Sequence, residues 1–455
     1  MNTILLHPTD VLFFRDGRPM EGSLAGHGAA WPLPSVTDAA FHAALHRSGL
    51  NGHAHDQRRH AKREGKDNRQ FGSLVTAGPF PVHHSSSGDT WFFPRPLDLL
   101  DDTLNPVLQP TATFDSVLSS LPDPLEYAVA NRLPPSKDIK AKAWLSTKAY
   151  QDYLSGSSNR PDPSNALDNS AFSDTEATVG IAIDPETGTT GQGEAAGKIY
   201  SARYLRLRDD WRLGVFARTG EKNDSAERVD LIRDLLKQPH QVLVGGQQRL
   251  CTAELQPAAI LPLPRGMSDN FHQHEGKWLV KWILLSPAIW PEIPDQARDG
   301  RRMTPHRGGW LPNWVRQEDG QVMLRSGKRQ SRSYNGKHTR GYSEDAKEIA
   351  AKLVAALVPK PIVVTGWALP NDTDRAKGGA KSTHLAVPAG AVYYFEAESA
   401  EHATALANAL NWHGAAESAI RNPQSAIKMT RRSTLMGEKG FGLGVCGTWR
   451  FHGPE

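Results

Sequence analysis

The chain has 455 residues, with 53 Lys plus Arg against 49 Asp plus Glu and a net charge of +4, so the molecule as a whole is not a polycation. At roughly 150 residues per domain the length predicts two or three domains, and no window approaches the ~18 apolar residues of a membrane helix. Cys251 and Cys446 are the only cysteines, which excludes a disulfide framework and a four-cysteine zinc site; the first residues carry no secretory pattern, and a reducing cytoplasm is the expected location.

Taken in order, residues 3–6 and 11–14 read as strands. Ser35 is expected to cap a helix that carries Phe41, Ala44 and Leu45 at helical spacing and stops at Gly49. Residues 50–88, with a basic run at 58–69 interrupted by Glu64 and Asp67, read as an inserted, solvated loop. A short strand at 90–94 follows, and 97–178, rich in Pro, Ser, Asp and Asn, reads as a second insertion with one helix near 141–153. By length alone that insertion is expected to be a partner-contacting arm. Residues 179–183 and 198–207 predict a hairpin, 214–217 a further strand, 225–237 a helix with Val229, Ile232, Leu235 and Leu236 on one side, and 241–244 a strand.

Residues 257–276, with Pro257, Pro262, Pro264 and Gly266, read as a linker. Beyond it the order repeats: a strand at 278–285, a helix capped by Ser343 with Ile349, Leu353, Val354 and Leu357, and strands at 361–369 and 391–395. Ser399 then caps a helix with Ala403, Leu406 and Leu410, and 441–451 make the last strand. Two copies of βαββαβ predict an α+β protein of two tandem ferredoxin-like (RRM-like) domains with long insertions, over 1–256 and 277–455. Each copy places glycines at its last passage from helix to strand, Gly245 and Gly246 in the first and residues 437–447 in the second.

That second segment concentrates the chemistry. Gly437, Gly440, Gly442, Gly444 and Gly447 fall within eleven positions. Backbone without Cβ approaches a ligand closely, and bare amides cradle phosphate oxygens; the alternative is a glycine-bearing strand packed on its own domain. Gly442, Gly444 and Gly447 fit G-x-G-x-x-G, but the helix and the acidic residue about 20 positions on are missing, and no Gly-Lys-Ser/Thr tripeptide marks a Walker A loop. A nucleotide-dependent enzyme is thereby disfavoured and no cofactor is expected.

A basic block at 298–342 interleaves Arg298, Arg301, Arg302, Arg307, Arg316, Arg325, Lys328, Arg329, Arg332, Lys337 and Arg340 with Trp310, Trp314, Tyr334 and Tyr342. Cations for phosphates and rings for bases suit a nucleic-acid strand, and a solvated surface insertion is the alternative. His53, His55, His60, His83, His84, His272 and His274 have spacings that permit metal ligation, but no carboxylates or cysteines accompany them, and no metal is expected.

Particular residues carry a resemblance. The segments are Asp10-Val-Leu-Phe-Phe-Arg-Asp-Gly-Arg-Pro19, Pro32-Leu-Pro-Ser35, Phe92-Phe-Pro-Arg-Pro-Leu97, Gly180-Ile-Ala-Ile-Asp-Pro-Glu-Thr-Gly-Thr189, Ile199-Tyr-Ser-Ala-Arg-Tyr-Leu-Arg206, Ala386-Val-Pro-Ala-Gly-Ala-Val-Tyr-Tyr-Phe-Glu396 and Gly440-Phe-Gly-Leu-Gly444. In these the chain resembles the RAMP superfamily of CRISPR-associated proteins, and within it the third subunit of the Cmr (type III-B) effector complex. The resemblance implies a non-catalytic RNA-binding subunit that holds the 5′ tag of the crRNA and contacts the large polymerase-like subunit and a RAMP backbone subunit. Gln247 stands where the family tends to have Glu, and the stretch 381–385 carries fewer cations than the family pattern.

The RNA-binding candidates are Arg15, Arg18, Arg249, Arg431, Arg432, Lys439, Gly440, Phe441, Gly442 and Gly444, with Phe441 expected to pack inward. The competing reading is a RAMP endoribonuclease that processes precursor crRNA. It would need a histidine base beside a cation, for which His27, His42 and His46 are the candidates.

Overall fold

The computed structural model describes residues 1–15, 24–25, 31–48, 50, 73–111, 121–131, 141–156, 160–184, 186–190, 199–222, 228–257, 260–295, 297–298, 301–302, 304–326, 329–334, 337–342, 346–368, 379–415 and 429–452. Strands dominate. The N-terminal half contains β1 (Asn2–Pro8), α1 (Pro34–Arg47), β2 (Val75–Ser85), β3 (Gly88–Pro94), β4 (Trp144–Ser146), α2 (Thr147–Leu154), β5 (Ser173–Ile181), β6 (Ile199–Leu207), β7 (Trp211–Arg218), α3 (Leu231–Leu235), β8 (His240–Leu243) and β9 (Leu250–Gln256). Its main sheet runs β8-β9-β1-β7-β2-β3-β4, with Ala166–Leu167 at the edge. The four strands β9-β1-β7-β2 pair antiparallel, which is the order of a βαββαβ unit with α1 after its first strand and α3 after its third.

Alternation along β1 divides the half into two cores. Ile4 and Leu6 face Phe41, Leu45, Ile232 and Leu235 of the two helices, whereas Met1 and Leu5 face the opposite way. α1 begins at Pro34 with Leu33 as its cap and no side-chain cap bond, so Ser35 is not the N-cap; proline in the first turn lacks only an amide that has no helical partner there. α3 is five residues long, shorter than the expected 225–237, and Asp230 caps it by accepting from the Ile232 amide. The expected hairpin is present as β5 against β6, while the stretch 11–14 contributes a single bridge, Leu12 to Leu205.

The C-terminal half contains β10 (His272–His274), β11 (Lys277–Leu284), β12 (Ala351–Leu357), β13 (Ile362–Val364), β14 (His384–Ala386), β15 (Val392–Ala397), α4 (Ala400–Leu410) and β16 (Gly444–Thr448). β11 is central, with β15 on one side and β10 and β16 on the other, and β12 lies beyond β15. The order β16-β11-β15-β12 again follows a βαββαβ unit, but only the second helix is there among the described residues. Ser399 caps it as expected, its Oγ accepting from the His402 amide at 3.2 Å. The first does not form: Ser343 lies outside the described residues, and Leu353, Val354 and Leu357 belong to strand β12. Trp290, Leu311 and Val315, from the connection between β11 and β12, pack with Leu406 and Leu410 of α4 over that face of the sheet.

The other face of each sheet meets in one shared core. Met1, Leu5, Phe80 and Trp91 pack there with Leu279, Ile283, Val354, Tyr394 and Trp449. Tyr150, Tyr153 and Leu154 of α2 fill the same core, as do Leu99 and Leu104, so the stretch 97–178 supplies scaffold as well as surface. Leu261 and Leu263 are buried with them, and the Trp412 indole donates to Pro264 O at 2.6 Å, which makes 260–264 a packed strap rather than a loose linker. Residues 50–88 likewise include β2, a central strand, and are not insertion throughout.

Candidate nucleic-acid interface

The C-terminal glycine segment is a short turn, Gly437–Lys439, running into β16. Gly440 has φ +97, and a Cβ there would lie 2.9 Å from Ala77 Cα of β2; Gly442 has φ +79, and its Cβ would lie 2.1 Å from the Ser433 amide nitrogen. Only glycine fits such backbone at such spacing. The amides from 439 to 443 all donate within the protein. Lys439 and Phe441 donate to Met436 O and Gly440 to Gly437 O, while Gly442 donates to Pro287 O at 2.7 Å and Leu443 to Ser286 Oγ at 2.9 Å. Close approach at Gly440 therefore serves packing between the halves, and at Gly442 packing within the C-terminal half. Phe441 is fully buried with Ile289, Val364 and Ala386, as its place in the chain implied, and Gly444 passes the Trp282 indole.

Arg431 and Lys439 of this segment reach across the seam, whereas Arg432 stays within the C-terminal half. Arg431 Nη2 donates to Thr76 O of β2 at 2.8 Å, and its buried Nε has no acceptor; burial, then the neighbouring Arg218, lowers its pKa to about 10. Arg432 Nε donates to Ala409 O at 2.7 Å, closing the C-terminus of α4, where a cation also meets the negative end of the helix dipole. Lys439 Nζ lies 3.5 Å from Asp38 Oδ2 of α1 and keeps about a third of its side chain in water (31% exposed). Burial raises the Asp38 carboxyl above its ordinary range, with Lys439 opposing. Arg15 is exposed, and Arg18 lies outside the described residues.

Gly245 and Gly246 occupy the turn between strands β8 and β9 rather than a passage from helix to strand. Arg249, at the end of that turn, reaches Asp10 Oδ2 at 3.5 Å and Gln247 Oε1 at 3.4 Å. In the basic block, Arg307 lies over the Trp310 ring at 4.9 Å and donates to Asp123 O, Arg316 pairs with Asp319, and Arg325 pairs with Glu348 at 2.7 Å. Trp314 is turned inward, stacked on Phe395 at 6.0 Å. The backbones of Arg329–Tyr334 and Lys337–Tyr342 pair as a hairpin, and the side chains at 297–303 and 327–345 lie outside the described residues.

Of the nuclease candidates, His42 and His46 lie edge to face on α1 at 4.5 Å with His46 buried, and His27 lies outside the described residues. Among the described residues no three His, Cys, Asp or Glu side chains are grouped to hold a metal ion, and no helix is long and apolar enough to cross a membrane; His53, His55 and His60 lie outside them. His272 Nε2 accepts from Arg450 and His84 contacts Asp89 at 2.6 Å. Sequence reasoning missed Asp38 and the Thr76 carbonyl, the partners of Lys439 and Arg431. Each is more than 350 positions from its partner, and nothing local in either stretch signals the other.

No curated protein matches the chain. Among solved structures, similarity is found to a chain of the type III-B Cmr-beta complex bound to cognate target RNA, at 15% identity over 86% of each chain with a TM-score of 0.37. A second is a chain of the Csm3-Csm4 subcomplex of the type III-A CRISPR-Cas interference complex, at 11% identity over 86% of this chain and 92% of that one, TM-score 0.36. The family model described as CRISPR-associated protein (Cas_Cmr3) matches residues 4–449. With nearly the whole length matched, from β1 through β16, the chain belongs to the Cas_Cmr3 family of CRISPR-associated proteins, as a RAMP-type subunit of the Cmr effector.

Proposed function

We propose that this type III-B subunit anchors the 5′ tag of the crRNA and bridges the large polymerase-like subunit to the RAMP backbone, without cutting RNA itself. The carrying observation is the family match, which runs through both glycine segments and the exposed Arg15. We read the two halves, 1–256 and 277–455, as ferredoxin-like units, the second with its first helix replaced by packed loops. Phosphates would be met by side chains, with the partly exposed Lys439 at the seam and the exposed Arg15 as candidates, because the amides of the glycine turn already have partners. The endoribonuclease reading gains nothing from His42 and His46, whose rings meet edge to face on α1.

The test compares a tag-bearing crRNA with the same RNA lacking its tag, by anisotropy across a salt series and by crosslinking. If about four phosphates are neutralised, log K falls with log salt at a slope of about -3, at roughly -0.7 per phosphate for single strands. Tag-dependent crosslinks at 431–444 and near Arg15 are expected. Equal binding of the two RNAs would overturn tag anchoring, and cleavage in the same tube would overturn the non-catalytic assignment.

A further inference from the structure

Away from the C-terminal glycine segment, the turn between β8 and β9 builds a small surface site of another kind. Its amide at Gly246 donates to Phe13 O at 2.9 Å, which holds the turn against the stretch that follows β1. Phe13 and Tyr204 of β6 lie with ring centroids 5.4 Å apart, and the Arg249 guanidinium sits 5.0 Å from the Tyr204 centroid. Asp10 lies between two arginines, its Oδ1 3.0 Å from Arg206 and its Oδ2 3.5 Å from Arg249.

Arg249 rests against the Tyr204 ring and hydroxyl, and its remaining polar contacts are long. Both of its ion and amide contacts, 3.5 Å to Asp10 and 3.4 Å to Gln247, are at the outer limit of hydrogen bonding. Its Nε is buried with no acceptor, an arrangement that costs free energy until a partner is found. The turn that carries it is strained as well, because Gln247 and Gln248 both have positive φ, 55 and 53, without being glycine. Tyr204 is fixed by its hydroxyl: hydrogen bonds with Gln247 and Thr178, and a lesser one with Arg249, lower its pKa. A fixed ring beside an under-satisfied, partly exposed guanidinium is the chemistry that takes an unpaired base and its phosphate.

We infer that Phe13, Tyr204 and Arg249 form a nucleotide site for one unpaired residue of single-stranded RNA, the base lying against the Tyr204 and Phe13 rings and Arg249 swinging off Asp10 to a phosphate oxygen. Asp10 remains paired with Arg206 when Arg249 leaves, so no carboxylate is stranded. The inference rests on the RNA-binding reading above and adds a contact that the glycine segment does not supply.

The experiment uses the full chain and short single-stranded RNAs carrying the fluorescent base 2-aminopurine at successive positions. Wild type is expected to quench one position, Tyr204→Phe to keep that quenching, and Tyr204→Leu to lose it with an affinity drop of about tenfold. Arg249→Gln should weaken binding and reduce the salt slope by about 0.7, with a thermal midpoint matching wild type. If wild type binds RNA but no position is quenched and Tyr204→Leu and Arg249→Gln bind equally well, the site is overturned while the RNA-binding function stands. If wild type binds no RNA under any salt condition, both fall together.

Discussion

A carboxylate placed where water is scarce reports on its own surroundings. Asp38 is almost fully enclosed between α1 and the glycine turn, with Lys439 3.5 Å away. Desolvation outweighs that cation, so the folded carboxyl titrates above its unfolded value. The sign follows from linkage: a raised acid contributes stability that is fully present below the unfolded pKa of about 3.9 and is lost as pH rises through the folded value. Asp38→Asn removes the titration. Wild type should therefore gain stability relative to Asp38→Asn as pH falls from neutral toward 4, read from urea midpoints of the two proteins across that range. A relative loss would mean that Lys439 dominates and holds the carboxyl ionised.

At the scale of elements, the glycine turn separates two uses of glycine. Gly442 has left-handed backbone with Ser433 against it, so Gly442→Ala combines strain with a clash and should cost more than about 2 kcal/mol. Gly437 has only Arg431 side-chain carbons near, at 3.7 and 4.0 Å, and Gly437→Ala should leave the unfolding free energy within about 0.5 kcal/mol of wild type. If Gly437→Ala nevertheless loses RNA affinity, that end of the turn approaches RNA. If it binds as wild type does, Gly437 makes no close approach to RNA, and packing accounts for Gly440 and Gly442.

The same scale shows what could be read in the chain and what could not. Ser399 with Ala403, Leu406 and Leu410 was legible as a capped helix because cap and apolar stripe agree and the outer face is wet. Residues 349–357 were not. β12 is buried on both faces, with Leu353 turned to the α4 side and Val354 and Ala355 to the shared core across a register shift. A strand buried on both faces reads as an unbroken apolar run, which periodicity cannot tell from a helix. β2 was hidden by Pro79 and Pro81, which argue against a central strand. It tolerates them because β3 pairs with it only from Val82 onward and β7 shifts register between Gly214 and Phe216. The Arg249 site was half legible: Asp10 and Tyr204 fall in segments of the family resemblance and Arg249 in a loop that departs from it, but their meeting depends on segments far apart in the chain.

For the whole molecule, the shared core argues against two independently stable halves. At its centre Lys281 of β11 and Asp98 of the N-terminal half are 4% and 1% exposed, with Nζ 2.6 Å from Oδ2. Tyr153 donates its hydroxyl to both Asp98 oxygens at 2.8 and 2.9 Å and lies under the ammonium at 4.2 Å. Burial lowers the Lys281 pKa and Asp98 opposes it, so the pair survives in the interior only because each charge has its partner. Lys281→Met leaves the Asp98 carboxylate buried beside tyrosine alone and should cost about 3–5 kcal/mol, whereas Lys281→Met combined with Asp98→Leu should recover most of that loss. Since the pair joins the two halves, calorimetry should give one transition for wild type, and Lys281→Met should lower it as a unit, with far-UV circular dichroism and tryptophan fluorescence moving together. Two transitions of which only the later or the earlier shifts would mean that the halves fold separately and meet through the seam afterwards.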